Sequence, residues 1–188
     1  MITILCCSIL KREIEYIINK IDIEAELVYL DCTLHVDPQK LCSEINKFLS
    51  NSNNAFVIYG NKCCPDMEQI IEANNAILIG AQNCVDMILG PEVEKQSTLN
   101  KTFFLTGGWL ENWKLIFQKT LKWDKIEARQ KFGYCEKMLL IDNGLVKISD
   151  YELLEMFDYT GLPIETYVNG LGFFESLIVN KLSNYIYF

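Results

Sequence analysis

Residues 55–66, Ala55-Phe56-Val57-Ile58-Tyr59-Gly60-Asn61-Lys62-Cys63-Cys64-Pro65-Asp66, carry the pattern on which the fold turns. Five apolar residues in a row, without alternation, predict a strand buried on both faces. The chain then turns, and Pro65-Asp66 opens a helix whose inward stripe is Met67, Ile70 and Ile71. A doubly buried strand leading straight into a helix is half of a parallel crossover unit.

The same unit repeats on either side. Upstream, Ile2 to Leu5 predict a strand, Ser8 to Lys20 a helix with Leu10, Ile14, Ile17 and Ile18 on one face, and Glu26 to Leu30 a second strand. Asp37-Pro38 has the acidic cap and first-turn proline of a helix start, and Leu41, Ile45, Phe48 and Leu49 continue it up to a polar loop at 50–54. Downstream, Ala76 to Ile79 and Thr102 to Leu105 predict strands four and five. Gly107-Gly108 breaks the chain before an aromatic helix from Trp109 to Leu121. Met138 to Ile141 make a sixth strand ended by Asp142-Asn143-Gly144. Tyr151 to Phe157 and Phe173 to Leu182 predict helices around an extended Ile164 to Val168, and Tyr185 to Phe188 a late strand. The expectation is an α/β chain: a doubly wound, mostly parallel sheet of at least five strands with helices on both faces, in the Rossmann-like three-layer manner. No linker or repeat interrupts it, so a single domain over residues 1–188 is expected.

Composition narrows the function classes. Of 188 residues, 50% are hydrophobic and 22% charged, which excludes disorder and collagen-like structure. A net charge of −8 without any Lys/Arg-rich run argues against a nucleic-acid partner. No stretch is apolar for long enough to span a bilayer, and the start lacks the charged segment and cleavage site of a signal peptide. No membrane association and a cytoplasmic location are expected. The eight cysteines then read as thiols and not as disulfide staples, since the chain has enough apolar material for a core. Cys32, Cys42 and Cys135 are expected to be packing residues.

Ligands of doubly wound sheets bind beyond the carboxyl ends of the strands, and chemically capable residues recur there. Cys7 follows strand one, His35 (the only histidine) strand two, Cys63 strand three and Cys84 strand four, at separations of 28, 28 and 21 residues, about one strand–helix unit each. Three thiols and an imidazole are the ligand types of a tetrahedral zinc site. Thiolates also suit copper(I) and iron–sulfur clusters, and the imidazole narrows the choice toward zinc. Tyr59, Gly60, Asn61, Gly107, Gly108 and Trp109 are expected to line the adjoining pocket. The plain alternative is that His35 caps a loop and the cysteines pack. A Cys–His dyad with His35 as base is a third. Neither a phosphate-binding loop nor a nucleophile elbow is present.

These segments resemble the domain-of-unknown-function family numbered 1638. The resemblance rests on Cys7 with Leu10 and Glu13, Leu34-His35 with Pro38 and Leu41, Tyr59-Gly60 with Cys63, Asn83-Cys84 with Leu89-Gly90, and Leu105-Thr106-Gly107-Gly108-Trp109. It covers residues 1 to about 125 well and the remainder loosely. Many relatives carry Tyr-Gly-x-Cys, whereas here Lys62 occupies that offset and Cys63 and Cys64 follow; Cys63 is preferred for the family position. The resemblance implies no settled activity. It does imply a place beside corrinoid-dependent methyltransferases, near which such proteins are often encoded, with a methylated small molecule, a thiol or a corrinoid protein as partner. The Asp-x-His-x-x-Gly pattern of many corrinoid carriers is absent, so the chain is not expected to be the carrier itself. A metal-binding methyltransferase or accessory protein is the leading expectation, and a non-catalytic module that binds a small ligand or a protein, with buried thiols, is its rival.

Overall fold

In a computed structural model, which describes residues 2–52, 55–92 and 101–186, the chain divides into two compact units. The first comprises residues 1–90 and 171–188, the second residues 91–170. Every strand pair within them is parallel, which gives the α/β class expected from the unalternated apolar runs.

The first unit holds a four-stranded sheet ordered β2-β1-β3-β4, with β1 at Ile2–Cys7, β2 at Ala25–Leu30, β3 at Phe56–Ile58 and β4 at Ile77–Leu78. Registers run Leu5↔Val28, Leu5↔Val57 and Val57↔Leu78, so the apolar runs lie side by side. Helices α1 (Lys11–Lys20), α2 (Pro38–Leu49), α3 (Met67–Ala73) and α4 (Cys84–Leu89) follow the strands in turn. The chain leaves β1 toward β2 and later crosses back to β3, so right-handed connections put α1 on one face and α2 and α3, which pack together, on the other. Ile4, Leu5, Phe56, Val57 and Ile58 are fully buried between these layers, with Ile14, Ile17, Leu41 and Ile45 from the helices. A last helix, α8 (Gly172–Ile186), returns to this unit and packs on α4.

The second unit carries a three-stranded sheet ordered β5-β6-β7, from Thr102–Thr106, Lys137–Asp142 and Ile164–Val168. Its helices are α5 (Gly107–Trp113), continued by a π-helical stretch at Lys114–Thr120, then α6 (Lys125–Lys131) and α7 (Asp150–Thr160). Phe103, Phe117, Trp123 and Phe132 pack edge-on and stacked, with Phe117 and Trp123 at 5.7 Å and 9°.

Three expectations need correction, and one helix was not expected. Among the described residues the strands are grouped in two parallel sheets, of four and three, where a single sheet of at least five was expected. Gly107-Gly108 does not break the chain: both glycines are buried in the first turn of α5, which Thr106 caps by accepting the Trp109 N–H at 3.4 Å. Residues 185–186 continue α8 and add no strand, while 187–188, like residues 53–54 of the polar loop, lie outside the described residues. Helix α6 is not anticipated by apolar periodicity, since its sequence Lys-Ile-Glu-Ala-Arg-Gln-Lys buries only Ala128. It is fixed instead by a capping box, in which Asp124 accepts from the Ile126 and Glu127 N–H groups and Glu127 accepts from the Asp124 N–H. Among the described residues no helix is long and apolar enough to cross a membrane.

Candidate metal centre

The first sheet reverses its winding between β1 and β3, which opens a crevice at their carboxyl ends. Cys7 is the last residue of β1 and Cys63 lies in the loop after β3, so the two flank that crevice. His35 comes from a 3-10 turn at Cys32–Val36 that follows β2. Asp31 caps this turn through the Thr33 N–H at 2.7 Å, and Asp37 caps α2 directly behind it. His35 is thus held between two capped ends. Cys84 opens α4, where Asn83 accepts the Asp86 N–H at 3.0 Å.

The β3 and β4 loops are joined by their backbones. Asn61 N–H donates to the Ala81 carbonyl at 2.9 Å and Lys62 N–H to the Gln82 carbonyl at 3.1 Å. A Cβ on Gly60 would fall 2.2 Å from the Gln82 oxygen and 2.5 Å from Asn83 Cα, so only glycine permits this approach. The close contact brings the loop of Cys63 against the residues that lead into Cys84. Asn61 Oδ1 is buried there without a hydrogen-bond partner.

Cys7 Sγ lies 3.7 Å from His35 Nε2 and 4.0 Å from Nδ1. Burial pushes the Cys7 thiol well above the usual thiol range, and the neighbouring Cys84 and Cys63 raise it further. Hydrogen bonds from the Ile9 backbone and the Tyr59 hydroxyl act in the opposite direction. Burial also raises Cys63, against a backbone hydrogen bond from Gly60. His35 is lowered by burial, against a hydrogen bond to the Cys32 carbonyl, so its imidazole is neutral at neutral pH. The pair is therefore a neutral thiol beside a neutral imidazole, which weighs against the thiolate–imidazolium dyad of a cysteine nucleophile. Neutral imidazole is also the form that ligates metals.

Of the four residues singled out as ligands, Cys7 and His35 are in contact, and Cys84 and Cys63 each raise the Cys7 thiol. Among the described residues no group of three or more His, Cys, Asp or Glu side chains is drawn together tightly enough to hold a metal ion as it stands. Tyr59, Gly60 and Asn61 belong to this region. Gly107, Gly108 and Trp109 belong to the second unit, where Trp109 stacks on Phe117 at 5.8 Å and meets Phe103 edge-on.

The adjacent pair Cys63-Cys64 is split by the structure. Cys64 is disulfide-bonded to Cys42 of α2, with a Cα separation of 5.6 Å, while Cys63 keeps a free thiol that raises Cys7. This corrects the reading of Cys42 as a plain packing residue and of all eight cysteines as thiols. The two neighbours therefore differ in role: Cys64 is tied to Cys42, which is buried on α2, and Cys63 keeps its thiol. Sequence spacing shows neither this nor the hydrogen bond of Tyr59 to Cys7, because both are contacts across distant segments.

The model of the family described as a protein of unknown function, DUF1638, matches residues 29–178. The span takes in His35, Cys63 and Cys84, begins after Cys7, and reaches further toward the carboxyl terminus than the motif resemblance does. No curated protein matches the chain.

Proposed function

The chain belongs to the DUF1638 family, and from that premise we propose that it is a thiophilic-metal protein with zinc held by Cys7, His35, Cys63 and Cys84. The observation that carries this reading is the Cys7–His35 contact at 3.7 Å, with two further thiols acting on the same sulfur. Two ligands of one tetrahedral zinc stand within about 4 Å of each other, and this pair meets that spacing. The donor set also suits the ion. Cys7, Cys63 and Cys84 offer three thiols beside a neutral imidazole, and a thiophilic cation is what would stabilise the thiolate forms of such a set. Cys63 sits on a loop and Cys84 at the first position of α4, so closing them onto a shared ion asks for side-chain movement and leaves the sheet intact.

When bound, zinc supplies the positive charge that turns cysteine thiols into thiolates. The chain's own residues set the rest. Tyr59 donates a hydrogen bond to Cys7, the Cys32 carbonyl holds the His35 ring, and the Gly60–Gln82 contact fixes the spacing of the Cys63 and Cys84 loops. With all four ligands engaged the site is closed and structural or regulatory; with one ligand exchangeable it accepts a substrate thiol. In this proposal the chemistry stands beside corrinoid-dependent methyl transfer, as the family resemblance implies, with a thiol or methylated small molecule or a corrinoid protein as partner and the protein as methyltransferase or accessory factor in the cytoplasm.

Element analysis of untagged protein tests the metal. About one zinc per chain, lost in both His35→Ala and Cys84→Ala, is expected. Metal-free protein that takes up no zinc on titration overturns the reading in favour of the binding module with buried thiols.

A further inference from the structure

The Cys42–Cys64 disulfide lies outside the proposed ligand set, yet it joins two of the segments that carry ligands. Cys64 is the immediate neighbour of Cys63. Cys42 lies seven positions after His35, on the first turns of α2, and α2 starts at Pro38 directly behind the His35 turn. Asp37 makes that junction stiff, since its carboxylate accepts the Lys40 N–H at 3.0 Å and its own N–H donates to the Leu34 carbonyl at 3.1 Å. A movement of α2 is therefore passed to His35. On the other side, Cys63 N–H donates to the Gly60 carbonyl at 3.1 Å, which ties Cys63 to the loop that ends in Cys64. The covalent path His35–α2–Cys42–Cys64–Cys63 fixes the imidazole relative to one thiol of the site.

We propose that this disulfide is a redox latch on the metal site: oxidised, it limits how far the His35 turn and the Cys63 loop can part, and reduced, it lets the two separate and lowers metal affinity. The inference rests on the metal reading and adds its regulation. The opening step is exchange with a low-molecular-weight thiol. The thiolate of the first R–SH attacks Cys64 or Cys42 Sγ, the sulfur–sulfur bond breaks, and the released sulfur takes the proton that R–SH lost. A second R–SH displaces the first as R–S–S–R, and its proton goes to the other cysteine. One disulfide is reduced and one is formed. Both cysteines are buried, so exchange requires local opening of the α2–α3 layer, and the latch responds slowly. The direction of the effect follows from preorganisation. A cross-link that restricts two ligand-bearing segments removes disorder that metal binding would otherwise have to remove.

The test uses the full chain in three forms: protein purified without added thiol, the same protein reduced with a dithiol and desalted under argon, and the Cys42→Ala/Cys64→Ala double variant. Mass-spectrometric mapping should find the 42–64 linkage in the first form, with six thiols titratable in denaturant and eight after reduction. Zinc affinity, measured by competition with a chromophoric chelator, should be about 10- to 100-fold higher in the oxidised form than in the other two, the size of effect seen when supports of metal ligands are lost. The reduced form and the double variant should agree with each other, with melting curves showing that both remain folded. Equal zinc affinity in all three forms overturns the latch and leaves the metal reading standing. Eight thiols in the untreated protein overturn it as well. Absence of zinc binding in every form overturns the metal reading, and the latch with it.

Discussion

The two units share an architecture and differ in what they place at the ends of their strands. In the first, β1 ends at Cys7, and the turns after β2, β3 and β4 carry His35, Cys63 and Cys84. In the second, the carboxyl ends are Thr106, Asp142 and Val168, and the polar groups there secure backbone. Thr106 caps α5, Asp142 accepts the Gly144 N–H at 2.9 Å, and Asn169 N–H closes onto the Asp142 carbonyl at 2.9 Å. The same parallel winding thus makes a sulfur-rich crevice once and a set of capped turns once. Parallel sheets supply a place for ligands, and the residues put there decide whether chemistry follows.

The contrast breaks most visibly if metal uptake does not belong to the first unit. Cys7→Ala should take zinc content from about one per chain to none, while Thr106→Ala should leave it at about one, as read by element analysis of both proteins side by side. Zinc retained in Cys7→Ala, or lost in Thr106→Ala, would erase the distinction.

Glycine substitution sharpens it next. Gly60→Ala drives a methyl into the Gln82–Asn83 backbone, which cannot yield without moving the Cys84 loop, and should cost about 3 kcal/mol in chemical denaturation. Gly107→Ala meets the Val146 side chain at 2.6 Å, which can adjust, and gains helix propensity, so a net cost of about 1 kcal/mol or less is expected.

Caps give a smaller and more discriminating pair. Asn83→Ala and Thr106→Ala each remove one N-cap acceptor and should each cost about 1 kcal/mol. Only Asn83→Ala should also weaken zinc binding, because Asn83 orients the helix that opens with Cys84.

The smallest effects are in the pH dependence of the metal-free protein. Cys7 and Cys63 are raised above the ordinary thiol value of 9.0, so their contribution to stability is fully present below that pH and is lost as pH rises and the unfolded chain ionises first. His35 is lowered below 6.5, so its contribution is present above that pH and is lost as pH falls toward its folded value. Melting temperature should decline at both extremes. Replacing Cys7 and Cys63 by alanine should flatten the alkaline side more than Cys135→Ala does in the second unit, where burial also raises the thiol.

Much of this was legible in the chain. Unalternated apolar runs at 2–5, 55–59 and 138–141 require strands covered on both sides, and the helices between them require parallel pairing, so the class of fold follows from local pattern and chain reach. The positions of Cys7, His35, Cys63 and Cys84 after successive strands follow in the same way, because crossovers of one hand bring successive strand ends to one edge. Pattern says where a strand begins, not which strand it leaves unpaired. The division into sheets of four and three, the disulfide between Cys42 and Cys64, and the approach of Gly60 to Gln82 were decided only by tertiary structure. Each is a contact between segments about 20 residues or more apart. Its energy depends on how whole layers pack, and a local window of sequence holds only one side of it.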